Sequence, residues 1–194
     1  MSVTQVNSIS CYEELREQLL QQKRDARIFI MGPTGTGKST LGNRLGVDLD
    51  STHRSLDELY WGPDWIPLPE EEFMTNLSNV LEQDRWILDG NYNQVQPLIF
   101  PHATCLIWLN YRFWTNFNQL LKRTVRRIRT QEKLYADNRE SYRKAFFSRD
   151  SILLWLWTSY PKLQARYRPI FDTPEQYADQ LLIELKEPAQ ARNR

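Results

Sequence analysis

Nine consecutive residues, Gly32, Pro33, Thr34, Gly35, Thr36, Gly37, Lys38, Ser39 and Thr40, hold the densest chemistry in this chain of 194 residues. They match G-x-x-x-x-G-K-[ST] in full. At that spacing the glycines let the backbone wrap so that successive N–H groups point at one anion. Lys38 adds a point charge for phosphate oxygens, and Ser39 offers a hydroxyl to Mg²⁺. A helix opening at Lys38 would aim its positive end at the same anion. The alternative, a glycine-rich turn that merely links a strand to a helix, ignores the concentration: five of the seven glycines fall between Gly32 and Gly46. The pattern predicts a bound nucleoside triphosphate with Mg²⁺. No N-K-x-D base-reading sequence is present, as a GTPase would require, and the chain is short for a motor ATPase. A small phosphotransferase fits best.

Two carboxylates stand where such chemistry needs them. Asp89 closes the apolar run RWILD and precedes Gly90, Asn91 and Tyr92. At the C-terminal end of a parallel strand it would lie in the ligand crevice and hold Mg²⁺ through water beside Ser39, or else simply start a turn with Gly90. Asp57 would orient or deprotonate an acceptor group, or only cap a helix. Trp61, Trp65 and Tyr92 would pack against a flat substrate or belong to the core. Lys122 to Lys133 (KRTVRRIRTQEK) carries six basic side chains and one acid. On a helix, Arg123 pairs with Arg127 and Lys122 with Arg126 at i, i+4, so at least two guanidiniums share a face. Such a face can close over a triphosphate and stabilise the transferring group, with Arg139 and Arg143 as partners. A solvated cationic face and a nucleic-acid contact are the other readings.

The elements that must position these groups follow from periodicity. Residues 10–24 read as an amphipathic helix with Ser10 as cap. The runs 27–31, 53–56, 85–89, 104–109 and 180–185 read as strands, the longer ones continuously apolar, as in a parallel sheet covered on both faces. Helical patterns follow Lys38 and span 69–84, 113–130 and 150–167. Alternating strands and helices predict one α/β domain over residues 1–194 with right-handed crossovers, 1–24 being a helical extension and 113–150 a lid region.

Composition sets outer bounds. The chain is 41% hydrophobic and 25% charged, enough apolar material for a core and against disorder. Cys11 and Cys105 have no metal-ligand spacing and form no disulfide framework. No 18-residue apolar run or secretory signal is evident, so a cytoplasmic protein without a membrane partner is expected. The net charge of +1 conceals a division: 8 bases and 15 acids up to residue 110, then 17 bases and 9 acids.

Several segments together carry a resemblance. GPTGTGKST, LDELYWGPDW (56–65), WILDGNY (86–92), CLIWLNY (105–111), LLKRTVRRIR (120–129) and NRESYRKAFFSRDSILLW (138–155) resemble the adenylate-kinase-like P-loop proteins often labelled topology modulation protein, over about residues 27–187. The resemblance implies a nucleoside-monophosphate-kinase-like three-layer sandwich. It would have a five-stranded parallel sheet, an acceptor segment after the second strand and an arginine-bearing helical lid. It also implies phosphoryl transfer from ATP with Mg²⁺ to a nucleotide or other small acceptor. Gly37, Lys38 and Ser39 match its ATP loop, Asp57 its LD acid and Asp89 its DG acid. Where adenylate kinases continue with Phe-Pro-Arg, this chain has Asn91, Tyr92 and Asn93, so the arginine that would grip an acceptor phosphate is absent. Asn110 and Arg112 replace an acid and a proline. Taken together, Lys38, Asp89, Arg123 and Arg127 are the expected catalytic groups. The loop would hold ATP, Ser39 and Asp89 the metal, and Asp57, Trp61, Asn91, Tyr92, Arg139 and Arg143 the acceptor. A nucleotide-dependent module acting on nucleic acid is the less favoured alternative.

Overall fold

Short runs of β-branched and aromatic residues, buried on both faces, leave a chain little choice but a central sheet. The structure, a computed structural model, describes residues 6–21, 26–130 and 151–191. Its strands are β1 (Val6–Ser8), β2 (Arg27–Met31), β3 (His53–Ser55), β4 (Trp86–Asp89), β5 (Cys105–Leu109) and β6 (Leu181–Leu185). Its α-helices are α1 (Tyr12–Gln21), α2 (Lys38–Asp48), α3 (Leu56–Tyr60), α4 (Glu70–Leu81), α5 (Gln96–Ile99), α6 (Phe113–Thr130) and α7 (Ile152–Asp172). All strands are parallel, in the order β1-β6-β5-β2-β4-β3.

The five expected strands form the core of this sheet, and β1 adds a sixth at its edge through backbone pairing with β6. The N-terminal segment is therefore a strand and a helix rather than a helical extension alone. Helix α7 also runs to Asp172, past its expected end, with Pro161 and Pro169 inside it.

Period-2 alternation divides the core. Phe29 and Met31 of β2, Leu88 of β4 and Trp108 of β5 pack on one face with Phe73 and Leu77 of α4 and Leu163 and Tyr167 of α7. Ile28, Ile30, Ile87 and Ile107 point the other way, onto Leu15 and Leu19 of α1 and Leu41 and Leu45 of α2. The result is the three-layer α/β sandwich. In a parallel sheet every strand ends on the same side, so the loops after β2, β3, β4 and β5 share one edge.

At that edge α2 comes unusually close to β3. A Cβ on Gly42 would overlap the imidazole of His53, 2.5 Å from Nε2, so the helix surface is hollowed to seat the ring. Replacing a helical glycine by alanine ordinarily stabilises by about 1 kcal/mol. Overpacking costs ~1–3 kcal/mol, and displacing a hydrogen bond to a carboxylate adds ~1.5–3 kcal/mol. Gly42→Ala should therefore destabilise the protein by roughly 2 kcal/mol or more, read as a lower urea midpoint.

Candidate active site

The loop after β2 is shaped by glycine backbone that other residues resist. Gly35 has φ 83°, and a Cβ there would lie 2.7 Å from the Leu120 side chain of α6. Gly37 has φ 93° and caps α2 in the left-handed region, with open space around it. Left-handed backbone costs an ordinary residue roughly 1 kcal/mol or more, which explains glycine at both points. The turn closes through Thr36, whose hydroxyl donates to the Pro33 carbonyl at 2.8 Å. The N–H groups of Lys38, Ser39 and Thr40 open α2, so they have no acceptor within the helix and form an anion cradle.

Lys38 folds back over this cradle. Its Nζ donates to the carbonyls of Gly32, at 2.9 Å, and Pro33, at 3.1 Å. Burial pulls its pKa below 10.5; Asp89 and Asp57 oppose that shift and Arg123 adds to it. Lys38, Asp57, Asp89 and Arg123, from four different segments, thus share one electrostatic cluster.

Asp89 ends β4 between two neighbours, opposite Ile30 of β2 and Ser55 of β3. It is 1% exposed. One carboxylate oxygen accepts from His53 Nε2 at 2.7 Å, and the other from Ser55 Oγ at 3.5 Å. The Nδ1 of His53 lies 2.9 Å from Asn43 Oδ1 on α2. His53 and Ser55 are two apart on β3, hence on one face, and that alternation is the sequence signal that would have found them.

The fit to a magnesium ion can be read from these donors. Among the described residues no group of three or more His, Cys, Asp or Glu forms a metal centre. Mg²⁺ commonly takes one or two protein oxygens, substrate phosphates and water, and the Ser39 hydroxyl with the Asp89 carboxylate suits that arrangement. Since Asp89 is already engaged on both oxygens, a water-mediated contact fits better than direct ligation.

Asp57 lies in the first turn of α3 and is not its cap. Ser55 is the cap, its Oγ accepting from the Asp57 N–H at 3.3 Å. The Asp57 carboxylate is free for other work and accepts from the Tyr92 hydroxyl at 2.8 Å. Burial pushes Asp57 above the ordinary 3.8, while the Tyr92 hydrogen bond and Lys38 pull it back. Tyr92 itself is pushed well up, first by burial and then by the charge of Asp57. Trp61 sits half-buried beside them, within 4.9 Å of the Tyr60 ring and 5.9 Å of Trp65.

Asn91, next to Tyr92 in sequence, turns the other way. Its Nδ2 donates to the Gly32 carbonyl at 2.7 Å, and its Oδ1 accepts from the Gly32 N–H at 3.3 Å and from the Tyr167 hydroxyl at 3.1 Å. Gln96 Nε2 donates to that hydroxyl at 2.7 Å, and burial pushes the Tyr167 pKa up to about 12. The side chain placed by its sequence position among acceptor contacts thus braces the first glycine of the phosphate loop.

The two basic registers on α6 are now distinct. Arg123 and Arg127 are half-buried, and the charge of Arg123 reaches Lys38 and Asp57. Lys122 and Arg126 are exposed on the opposite side. Arg139 and Arg143 lie outside the described residues. Among the described residues no helix is long and apolar enough to cross a membrane.

No protein-family model matches the chain, and no curated protein matches it. Among solved structures, a shikimate kinase from Bacteroides thetaiotaomicron is similar with a TM-score of 0.47 at 16% identity, over 84% of this chain and 86% of that one. A gluconokinase from Sinorhizobium meliloti 1021 gives 0.49 at 13% identity, over 85% of each chain. A shikimate kinase from Acinetobacter baumannii, in complex with shikimate, gives 0.46 at 17%, over 82% of each. With all three scores below 0.5, the reading of the site rests on its own geometry.

Asn91→Ala removes three hydrogen bonds: the Gly32 N–H and the Tyr167 O–H lose the oxygen they donate to, while the Gly32 carbonyl keeps Lys38 and the Tyr167 oxygen keeps Gln96. Unsatisfied buried groups cost ~1–3 kcal/mol each. The variant should lose roughly 2–4 kcal/mol of stability by urea denaturation, with nucleotide affinity falling alongside.

Proposed function

We propose that this chain is an ATP-dependent phosphotransferase that moves the γ-phosphoryl group to a small acceptor. The observation that carries the reading is the single charge cluster: the Lys38 ammonium at an anion cradle, the half-buried Asp57, the buried Asp89, and Arg123 from α6. A hydrolase or a simple nucleotide sensor has no need of a second carboxylate held beside the phosphate lysine by its own hydrogen-bonding tyrosine.

In this reading the loop from Gly32 to Thr40 binds the triphosphate of ATP, and Lys38 neutralises charge on the β- and γ-oxygens. Ser39, and Asp89 through water, would hold Mg²⁺, which when bound would shield the same oxygens. Arg123 and Arg127 stabilise charge that builds on the transferring group. Asp57 takes the proton from the acceptor hydroxyl. The acceptor oxygen bonds to the γ-phosphorus, and the bond to the β,γ-bridging oxygen breaks with its electron pair, leaving ADP. Asp57 suits this role because burial makes its carboxylate a stronger base than an exposed one, while Tyr92 keeps it oriented. Trp61 lines the acceptor side, while Arg139 and Arg143 are proposed as partners of the α6 arginines over the triphosphate.

Lys38→Ala should weaken ATP binding by about 100-fold or more in a calorimetric titration, since it removes the charge-assisted contacts of the cradle. Retained affinity and turnover in that variant would sink the proposal. Arg123→Ala should lower kcat by roughly 10³-fold, the scale of a transition-state arginine, while Arg126→Ala leaves kcat within a few-fold.

Tyr92→Phe tests the base. The Tyr92 hydrogen bond lowers the Asp57 pKa, so its loss raises that pKa further. A general base works only when ionised, so the acid limb of the kcat/KM profile should move to higher pH in Tyr92→Phe. An unmoved limb would remove Asp57 from this role.

A second reading has one observation behind it: Lys122, Arg126 and Arg129 form an exposed basic stripe along the outer side of α6. A salt-dependent affinity for DNA or RNA, lost when these three become Ala, together with no phosphoryl transfer to any acceptor, would favour a nucleotide-dependent nucleic-acid module.

A further inference from the structure

The wall that faces Asp57 is built without cations. From Ser55 to Asp84 the chain carries eight carboxylates and no Lys or Arg, and Gly90 to Tyr111 has no Lys or Arg either. These stretches supply α3, the loop behind it, α4 and the segment after β4. The basic residues that flank the first stretch point elsewhere. Arg54 pairs with Glu58 at 2.7 Å, both exposed, and Arg85 stands before β4, at the far end from Asp89, donating to the Leu49 carbonyl.

In place of charge the wall has rings. Tyr60 meets Trp61 and Tyr92 with centroids 4.9 Å apart, Phe73 at 5.3 Å, and Trp61 meets Trp65 at 5.9 Å. Tyr60, Trp61, Trp65 and Tyr92 remain partly exposed. The loop that presents Trp65 is held in a costly shape, with Asp64 at φ 57° and Trp65 at φ 59°. Gly62 N–H donates to the Ile66 carbonyl at 2.9 Å, and Leu68 N–H to the Tyr60 carbonyl at 2.8 Å, which pins it. Left-handed backbone at a tryptophan persists only where its surroundings impose it, and it tends to mark sites that hold a ligand.

An anionic acceptor is disfavoured here on electrostatic grounds. Its phosphate or carboxylate would find no Lys or Arg in either stretch, and Lys38 and Arg123, whose charges reach Asp57, serve the triphosphate in the reading above; desolvating an unpaired anion costs several kcal/mol. A neutral molecule loses nothing comparable, and a cation gains from the carboxylates and from the electron-rich ring faces.

We infer that the acceptor is an alcohol carrying no negative charge, neutral or cationic, with its hydroxyl at Asp57 and its body against Tyr60, Trp61 and Trp65. This rests on the phosphotransferase reading and narrows it. The proton and phosphoryl group move as described above; only the class of acceptor is new.

Transfer from γ-labelled ATP to matched pairs tests it: nucleosides against their 5′-monophosphates, amino sugars against sugar acids, and amino alcohols against hydroxy acids. The expected result is transfer to at least one uncharged or cationic member, with kcat/KM at least 100-fold above its anionic counterpart. The pair that responds tells a neutral from a cationic acceptor. Equal or faster transfer to an anionic member overturns the inference and leaves the phosphotransferase reading standing. No transfer to any member, by protein that still binds ATP in a Lys38-dependent way, overturns both. For the responding acceptor, Trp65→Gly, which also relieves the strained backbone, should raise the acceptor KM at least tenfold and leave the KM for ATP unchanged. An unchanged acceptor KM removes the aromatic wall from recognition.

Discussion

Lys38 is an ammonium taken largely out of water, and the arrangement of the site answers to that fact. Burial alone would drive it toward its neutral form, useless for holding phosphate. Asp57 and Asp89 favour the charged form, yet Asp57 is itself a half-buried carboxylate that burial drives toward protonation. Each charge is tolerable only because the others are present and because each has hydrogen bonds of its own: loop carbonyls for Lys38, Tyr92 for Asp57, His53 and Ser55 for Asp89. Such clusters are high-stakes, since removing one member strands the rest. In the proposed function they would also keep the site poised, because an arriving triphosphate would take over the lysine from the backbone carbonyls.

The sheet makes this cluster possible. Parallel pairing of β2, β4 and β3 sets Ile30, Asp89 and Ser55 side by side, so the loop that leaves β2 begins next to the carboxylate that ends β4. Gly32 and Asn91 are then near enough to exchange two hydrogen bonds across 59 residues of sequence. On the outer side, Leu120 of α6 rests on Gly35, which carries Arg123 toward the lysine. The phosphate loop is thereby clamped from two directions, by Asn91 and by α6. Its glycines serve the close approach as much as the left-handed turn.

Much of this was legible in the sequence because it depends on local pattern. The loop declares itself through invariant chemistry at fixed spacing, and β2, β4 and β5 declare themselves as continuous apolar runs. Helix α6 follows its periodicity from Phe113 to Thr130. What remained hidden depends on partners distant in sequence. Val6–Ser8 is too short and polar to read as a strand, and it becomes one only because β6 has an open edge. Asp57 looks like a helix cap until Ser55, two residues earlier, takes that place. Asn91 looks like an acceptor contact because its neighbours Asp89 and Tyr92 face the cleft. Its own direction is decided by Gly32 and Tyr167, from two other segments. The choice between the two arginine registers of α6 likewise required knowing which side meets Gly35.

The uneven charge of the chain acquires a physical sense from this geometry. Of the bases collected after residue 110, Arg123 comes to the site on α6, and its charge reaches Lys38 in the loop where a triphosphate would bring four negative charges at neutral pH. Acids collected before residue 110 supply Asp57, Asp89 and the cation-free wall beyond them. In the proposed reaction, a site charged this way would sort its two substrates before either is in contact with a specific group. The polyanion would be drawn to the basic side, and a second anion would be repelled from the acidic one. A cleft with arginines on both walls could not make that distinction, because a nucleotide would bind at either. The near-neutral total therefore conceals acidic and basic stretches that both reach Asp57, where Asp89 and Arg123 act in opposite directions at the proposed point of phosphoryl transfer.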